Sequence, residues 1–312
     1  ADADMHLFQP RDHVIVQWET GFGPGGGPTV GQNPPAGAQV FYTLAEAPDT
    51  STLVTVEILE NGGAIRTYTT DPVAAGDSTF TRIDAPKAGL NRFSWDFRRE
   101  TPTQVPGIMA IGGPPVGRRV PPGDYQVRLT IGERNETRSL TLLPDPRWTA
   151  TAAEYEEQER FLESAVEAVE AMHGSANQLR GVRDQVNGLI ERTSDHEAAD
   201  TIRAAGTHLT EGITEWEGEL LQPKQKTYQD VVNFENKLSA EFLSLIGSVD
   251  GTHPPVIQGA RERLQDLLVE WRGHQATMTG LLDELAAFNA LIQQLGVPPI
   301  VLKGERPPRA IS

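Results

Sequence analysis

The chain has 312 residues, a formal net charge of −16 and no cysteine. That excludes disulfide and thiolate chemistry, and such an acid excess does not suit a duplex nucleic acid or anionic lipid surface, both of which need clustered Lys and Arg. The charge is uneven: residues 1–148 carry 17 acidic and 13 basic side chains, and residues 149–312 carry 26 and 14. No run approaches the roughly 20 apolar residues of a membrane-spanning helix. The first residues, Ala1-Asp2-Ala3-Asp4, show neither the basic nor the apolar region of an export signal.

In chain order, His13 to Trp18 reads as a first short strand, followed by a Gly/Pro-rich loop from Gly21 to Gly37. Val40 to Leu44 is the next strand. Leu53 to Glu60 alternates, with Val54, Val56 and Ile58 on one face, and Asn61-Gly62-Gly63 supplies a tight turn into a partner strand, Ala64 to Thr70. Phe93, Trp95 and Phe97 alternate in what is expected to be the central strand, with Trp95 buried. A second long Pro/Gly-rich loop, Glu100 to Pro121, precedes the alternating Tyr125, Val127, Leu129 and Ile131. A turn at 132–135 leads to a last strand, Ser139 to Leu143. Tyr125, directly after Pro121-Pro122-Gly123-Asp124, is placed as in a tyrosine corner. Seven or eight short strands without an intervening helix predict an antiparallel sandwich of immunoglobulin or fibronectin type over residues 1–143.

Leu143-Pro144-Asp145-Pro146-Arg147-Trp148-Thr149 marks the change of pattern, because two prolines so close together continue neither a ladder nor a helix. Residues 144–150 are thus expected to be a linker. Thr151-Ala152-Ala153-Glu154 then forms a capping box. Beyond it, Leu162, Val166, Val169, Met172/His173, Ala176, Leu179, Val182/Arg183, Val186 and Leu189/Ile190 recur in steps of three and four. Leu264, Leu267/Leu268, Trp271, Gln275, Met278, Leu282, Leu285, Phe288, Ile292 and Leu295 do the same. Between these two long helices, Ser194-Asp195-His196-Glu197 is expected to cap a second helix to about Gln222, and a third runs from about Thr227 to Ile246. Gly251 to Pro255 would cap the fourth. The expectation is an antiparallel four-helix bundle over 151–296, with a Pro-rich tail over 297–312.

Motifs with chemical potential are few. Gly21 to Gly26 fits G-x-G-x-x-G but opens no helix and lies in no βαβ unit, so a plain loop is the better reading. His196-Glu197-Ala198-Ala199-Asp200 lacks the second His of a zinc helix. Glu170-x-x-His173 has the spacing of a carboxylate-bridged metal helix, but Glu270 and His274 on the last helix are out of register with it, so a hydrogen-bonded seam histidine is preferred. Asn135-Glu136-Thr137 is a glycosylation sequon, without meaning outside a eukaryotic secretory host. No catalytic residue, metal ligand or cofactor site is assigned. The loop residues Val105, Ile108, Met109, Ile111 and Val116, beside Arg118 and Arg119, have the composition of an apolar anchor with an Arg rim. They are the candidate protein interface.

Three stretches also carry a resemblance: Gly89-Leu90-Asn91-Arg92-Phe93-Ser94-Trp95-Asp96-Phe97-Arg98, Pro121-Pro122-Gly123-Asp124-Tyr125-Gln126-Val127-Arg128-Leu129-Thr130, and Leu143-Pro144-Asp145-Pro146-Arg147. With Asp4 to Asp12, Gln32 to Ala38, Asp230 to Leu238 and Ala287 to Leu291, the chain resembles the C-terminal region of large bacterial BNR-repeat propeller proteins, described as sialidase-like or sortilin-like glycosyl hydrolases. The β half also resembles the Ig-like domain of flagellar hook-capping proteins. The first resemblance implies an extracytoplasmic setting and a role beside a propeller, where the catalytic groups of such a glycosidase lie. It carries no catalytic residue onto this chain. Two functions are expected: a non-enzymatic structural or interaction subunit whose partner is another protein chain or an upstream propeller, or the accessory tail of a carbohydrate-active propeller enzyme.

Overall fold

The computed structural model describes residues 5–16, 37–49, 51–71, 81–109 and 115–302. Among the described residues the chain is mixed α and β, with two sheets and four α-helices. It divides into two compact units that interleave along the sequence. One comprises residues 1–102, 116–162 and 248–256; the other comprises 103–115, 163–247 and 257–312. The units therefore part within the first long helix, between Leu162 and Glu163, and not at the Pro-containing stretch 144–150.

In the first unit, β1 (Met5–Leu7), β3 (Ala38–Leu44) and β7 (Gly89–Trp95) form an antiparallel three-stranded sheet in the order β1-β3-β7. The six-stranded sheet has the order β2-β9-β8-β4-β5-β6, from β2 (His13–Val14), β4 (Val54–Glu60), β5 (Gly63–Thr69), β6 (Thr81–Arg82), β8 (Gly123–Ile131) and β9 (Arg134–Leu143). Period-2 side chains from both sheets meet in one core, with Leu7, Val40 and Trp95 from the first and Val56, Ile58, Val127 and Leu140 from the second. Trp95 is fully buried, yet β7 lies at the edge of its sheet, and β3 takes the centre. Two pairings are parallel, β2 with β9 and β5 with β6. Both involve two-residue strands at the two edges of the sheet, and parallel pairings of that kind are beyond hairpin reasoning. The Asn61-Gly62 turn forms as expected, with positive φ at both residues (51° and 82°). Tyr125 completes its corner by donating its hydroxyl to the Pro121 carbonyl at 2.8 Å.

Residues 97–99 pair with 118–120 through Arg99 N to Arg118 O (2.9 Å) and Val120 N to Phe97 O (2.9 Å). Gly117 is required here, since a Cβ would overlap the Arg99 carbonyl oxygen. Phe97 sits at φ 61°, a costly conformation for an aromatic residue. It is held by the Trp95 indole N–H, which donates to the next carbonyl, Arg98 O, at 2.9 Å.

The four helices are α1 (Ala152–Arg192), α2 (Ala199–Leu220), α3 (Leu238–Asp250) and α4 (Gln258–Gln294). The capping box opens α1: the Glu154 carboxylate accepts from Thr151 N (2.7 Å) and the Thr151 hydroxyl accepts from Glu154 N (3.3 Å). The seam is buried much as its spacing requires, with Val169, Met172, Leu179, Val186, Ile202, Leu209, Ile213, Phe242, Leu267 and Ile292 nearly inaccessible. Gln275, expected in the seam of α4, is exposed instead, and Met278 is half-buried.

Three helix boundaries differ from expectation. The Ser194–Glu197 box does not form, because His196 Nδ1 accepts from Ala198 N (3.0 Å) in a turn, and α2 starts uncapped by any side chain. The expected third helix splits into a 3-10 helix over Tyr228–Val232, started by a Thr227/Asp230 box, and α3. Between them the Gln225 and Gln222 carboxamides donate to the Phe234 and Glu235 carbonyls (2.9 and 2.8 Å), taking acceptors that a continuous helix would need. Thr252 donates its hydroxyl to Val249 O (3.1 Å), closing α3 and not opening α4.

Candidate functional site

In the helical unit, one stripe of α1 holds the segment 103–106. Glu170, His173, Asn177 and Arg180 are spaced i, i+3, i+7 and i+10, which places them on one face of a helix. Each takes a backbone group of that segment. The Glu170 carboxylate accepts from Thr103 N (2.9 Å), and His173 Nδ1 meets Thr103 O (2.5 Å). Asn177 donates to Gln104 O (2.9 Å), and Arg180 donates to Pro106 O (2.6 Å). The segment then turns at Val105-Pro106-Gly107-Ile108, with Ile108 N on Val105 O (3.2 Å) and φ 76° at Gly107, as a type II turn with Pro at its second position requires.

His173 is the chemical centre of this ladder. Because Thr103 O can only accept, Nδ1 carries the proton and Nε2 accepts from the Ser239 hydroxyl at 2.6 Å. This is a nucleophile–base contact in bond terms, with a backbone carbonyl orienting the imidazole where a hydrolase uses a carboxylate. Ser239 and His173 are only 5% and 4% exposed, however, so no substrate reaches the hydroxyl in this arrangement. Burial pushes the His173 pKa below its ordinary value, against the opposing pull of the Thr103 carbonyl and the Glu170 charge. Next along the stripe, Arg180 and Arg183 both pair with the buried Glu217 of α2, Arg183 at 2.8 Å.

A pH dependence follows. A His whose folded pKa is depressed binds fewer protons folded than unfolded, so stability is full above the unfolded value of about 6.5 and falls as pH drops below it. His13 and His253 are depressed by burial in the same direction. Urea melts at pH 7.5 and 5.5 are expected to show lower stability at the acid end, and His173→Gln is expected to flatten that slope. An unchanged slope in His173→Gln assigns the dependence to the other histidines.

The first unit contains a second polar cluster. Arg99 makes a two-bond pair with Glu60 (2.9 and 3.0 Å) and meets Glu159 at 2.6 Å, which Arg118 also meets at 3.0 Å. Arg98 pairs with Asp250 (2.9 Å), which also accepts from Arg119 N (2.7 Å). These contacts fasten residues 152–162 and 248–256 to the strands. Beside them a cavity of about 40 Å³ is lined by Arg119, Tyr155, Gln158, Asp250 and His253, far below the roughly 300–1,000 Å³ of small-molecule sites. Trp148 stacks on His253 at 4.6 Å. Among the described residues, no three His, Asp or Glu converge as a metal site.

The loop residues expected at a protein interface are divided between these settings. Val105 is 5% exposed within the helical unit, Arg118 is ion-paired with Glu159, and Arg119 places its backbone N–H on Asp250 with its side chain 30% exposed. Ile108 and Met109 are half-buried and Val116 is 56% exposed. Ile111 and the glycine-rich motif at 21–26 lie outside the described residues. Glu170 and His173 stood out by spacing alone, but the partner they hold was not legible, because a carbonyl 70 residues upstream leaves no local trace. No protein-family model and no curated protein matches the chain.

Proposed function

We propose that this chain is a non-catalytic structural and protein-interaction module of a larger extracytoplasmic assembly. In this reading an Ig-like β-sandwich and an antiparallel four-helix bundle present surfaces to another chain. The observation that carries it is the use made of the reactive side chains. Glu170, His173, Ser239, Glu159, Asp250, Arg98 and Arg99 all fasten one part of the chain to another. The β1-β3-β7 sheet also exposes Phe8 (41%), Phe41 (40%) and Leu90 (66%), with Phe8 N on Phe41 O at 3.0 Å, an apolar group of the kind that marks interaction sites. The extracytoplasmic setting rests on the resemblance to BNR-propeller proteins, which also motivates the second reading, an accessory region of a carbohydrate-active propeller enzyme.

Size-resolved native purification with mass spectrometry of co-purifying chains is the test. A separate chain in a stable complex is expected, while an unbroken polypeptide carrying a propeller favours the second reading. Replacing Ile108, Met109 and Ile111 together with Ser is expected to release the partner with little change in melting temperature. Val105→Ser is expected to lower the melting temperature. A complex that survives the triple change places the interface elsewhere.

A further inference from the structure

Helix α4 ends in a Schellman motif: Val297 N bonds Ile292 O (2.9 Å), Gly296 N bonds Gln293 O (3.0 Å), and Gly296 has φ 75°. The chain is thereby turned back, Pro298 and Pro299 keep it extended, and two carboxamides catch the next two residues. Asn289 of α4 accepts from Ile300 N (2.7 Å) and donates to Ile300 O (3.0 Å). Gln185 of α1 accepts from Val301 N (3.3 Å) and donates to Val301 O (3.0 Å). In an extended chain, the N–H and C=O of one residue point to one side and those of the next to the other. The two amides therefore stand where neighbouring strands would stand in a sheet, one on each side of the segment.

This mode of holding reads backbone and ignores sequence, apart from one anchor. Ile300 is 7% exposed, whereas Val301 is 61% and Leu302 39% exposed. Main-chain bonds for affinity and a pocket for a side chain are also what recognise extended peptides across protein interfaces. We propose that the seat between Gln185 and Asn289 is a recognition site for an extended segment of a partner protein bearing an aliphatic residue at the Ile300 position, and that residues 298–302 occupy it in cis. The seat differs from the 105–119 loop, and its binding is measurable on the purified chain whether or not that loop meets a partner. The tail acts as an internal competitor: the partner segment binds when the tail is displaced.

The probe is a labelled peptide with the sequence of Val297–Lys303, added to the full chain. Ile300→Asp frees the tail without touching either amide, and that variant is expected to bind the peptide at least roughly ten-fold tighter than the unaltered chain. Adding Asn289→Ala or Gln185→Ala is expected to abolish the gain, and a probe with Asp at the Ile position is expected not to bind. In the unaltered chain, excess probe is expected to speed hydrogen exchange at the Ile300 and Val301 amides. If the folded Ile300→Asp chain fails to bind the probe at millimolar concentration, the segment is a fixed anchor and the proposal falls. It falls equally if binding ignores Asn289→Ala, or, should Ile300→Asp not fold, if exchange at the two amides is unchanged by saturating probe.

Discussion

Trp95→Ala is expected to lower the unfolding free energy of the β unit by roughly 3–5 kcal/mol, as large aromatic truncations in cores do. The indole is fully buried and makes edge contacts with Phe97 and Tyr125 at centroid distances of 5.8 and 5.6 Å. Its N–H also satisfies the Arg98 carbonyl next to the positive-φ Phe97, so truncation removes the support of a strained residue together with core volume. Trp95→Phe keeps most of the volume and loses the hydrogen bond, so it is expected to lie between the two. Denaturant melts followed by circular dichroism measure both, and a loss under about 1 kcal/mol for the alanine variant contradicts this account.

Glu217→Ala is expected to cost a comparable amount, about 3–5 kcal/mol, because removing one member of a buried pair leaves its partners charged and unneutralised. The Glu217 side chain is 8% exposed, and the Arg180 and Arg183 side chains are 22% and 24% exposed. Two guanidinium groups would then face one another without the carboxylate between them. Arg180 would still hold Pro106 O, so the segment 103–106 is expected to stay in place while the α1–α2 contact weakens. Replacing Arg180, Arg183 and Glu217 together with apolar residues of similar size is expected to recover most of the loss. If Glu217→Ala melts like the unaltered protein, the carboxylate is not a buried counter-ion.

What could be read beforehand and what could not differ by range. The Thr151/Glu154 box, the Asn61-Gly62 turn and the seam of α1 are local in sequence, and each formed much as its residues dictate, while the seam expected of α4 missed at Gln275. Strands β1 and β6, three and two residues long, are too short to show alternation and exist through their pairing with β3 and β5. The Ser194–Glu197 box had the right letters, but the His196 ring offered a competing acceptor two residues away from Ala198. The loop after Glu100 looked exposed because its apolar residues have no local partner; Val105 is buried in the helical unit, and Glu170, His173, Asn177 and Arg180 on α1 hold the segment around it. The clamps on Ile300 and Val301 were invisible for the same reason, since Asn289 and Gln185 carry no mark that distinguishes them from other surface amides.

The interleaving of the two units sets the order in which the protein can be completed during synthesis. Every described strand of the β unit has been made by Leu143, but Asp250, which neutralises Arg98 and receives the Arg119 amide, comes 107 residues later. At elongation rates of about 5–20 residues per second, the nascent strands wait on the order of ten seconds for that carboxylate. Meanwhile the segment 103–106 must wait for α1 to emerge before it has a surface to lie on. A ribosome that stops before Asp250 thus releases a β unit with all its strands and an incomplete ion cluster, and damage to this domain can originate a hundred residues downstream of its last strand.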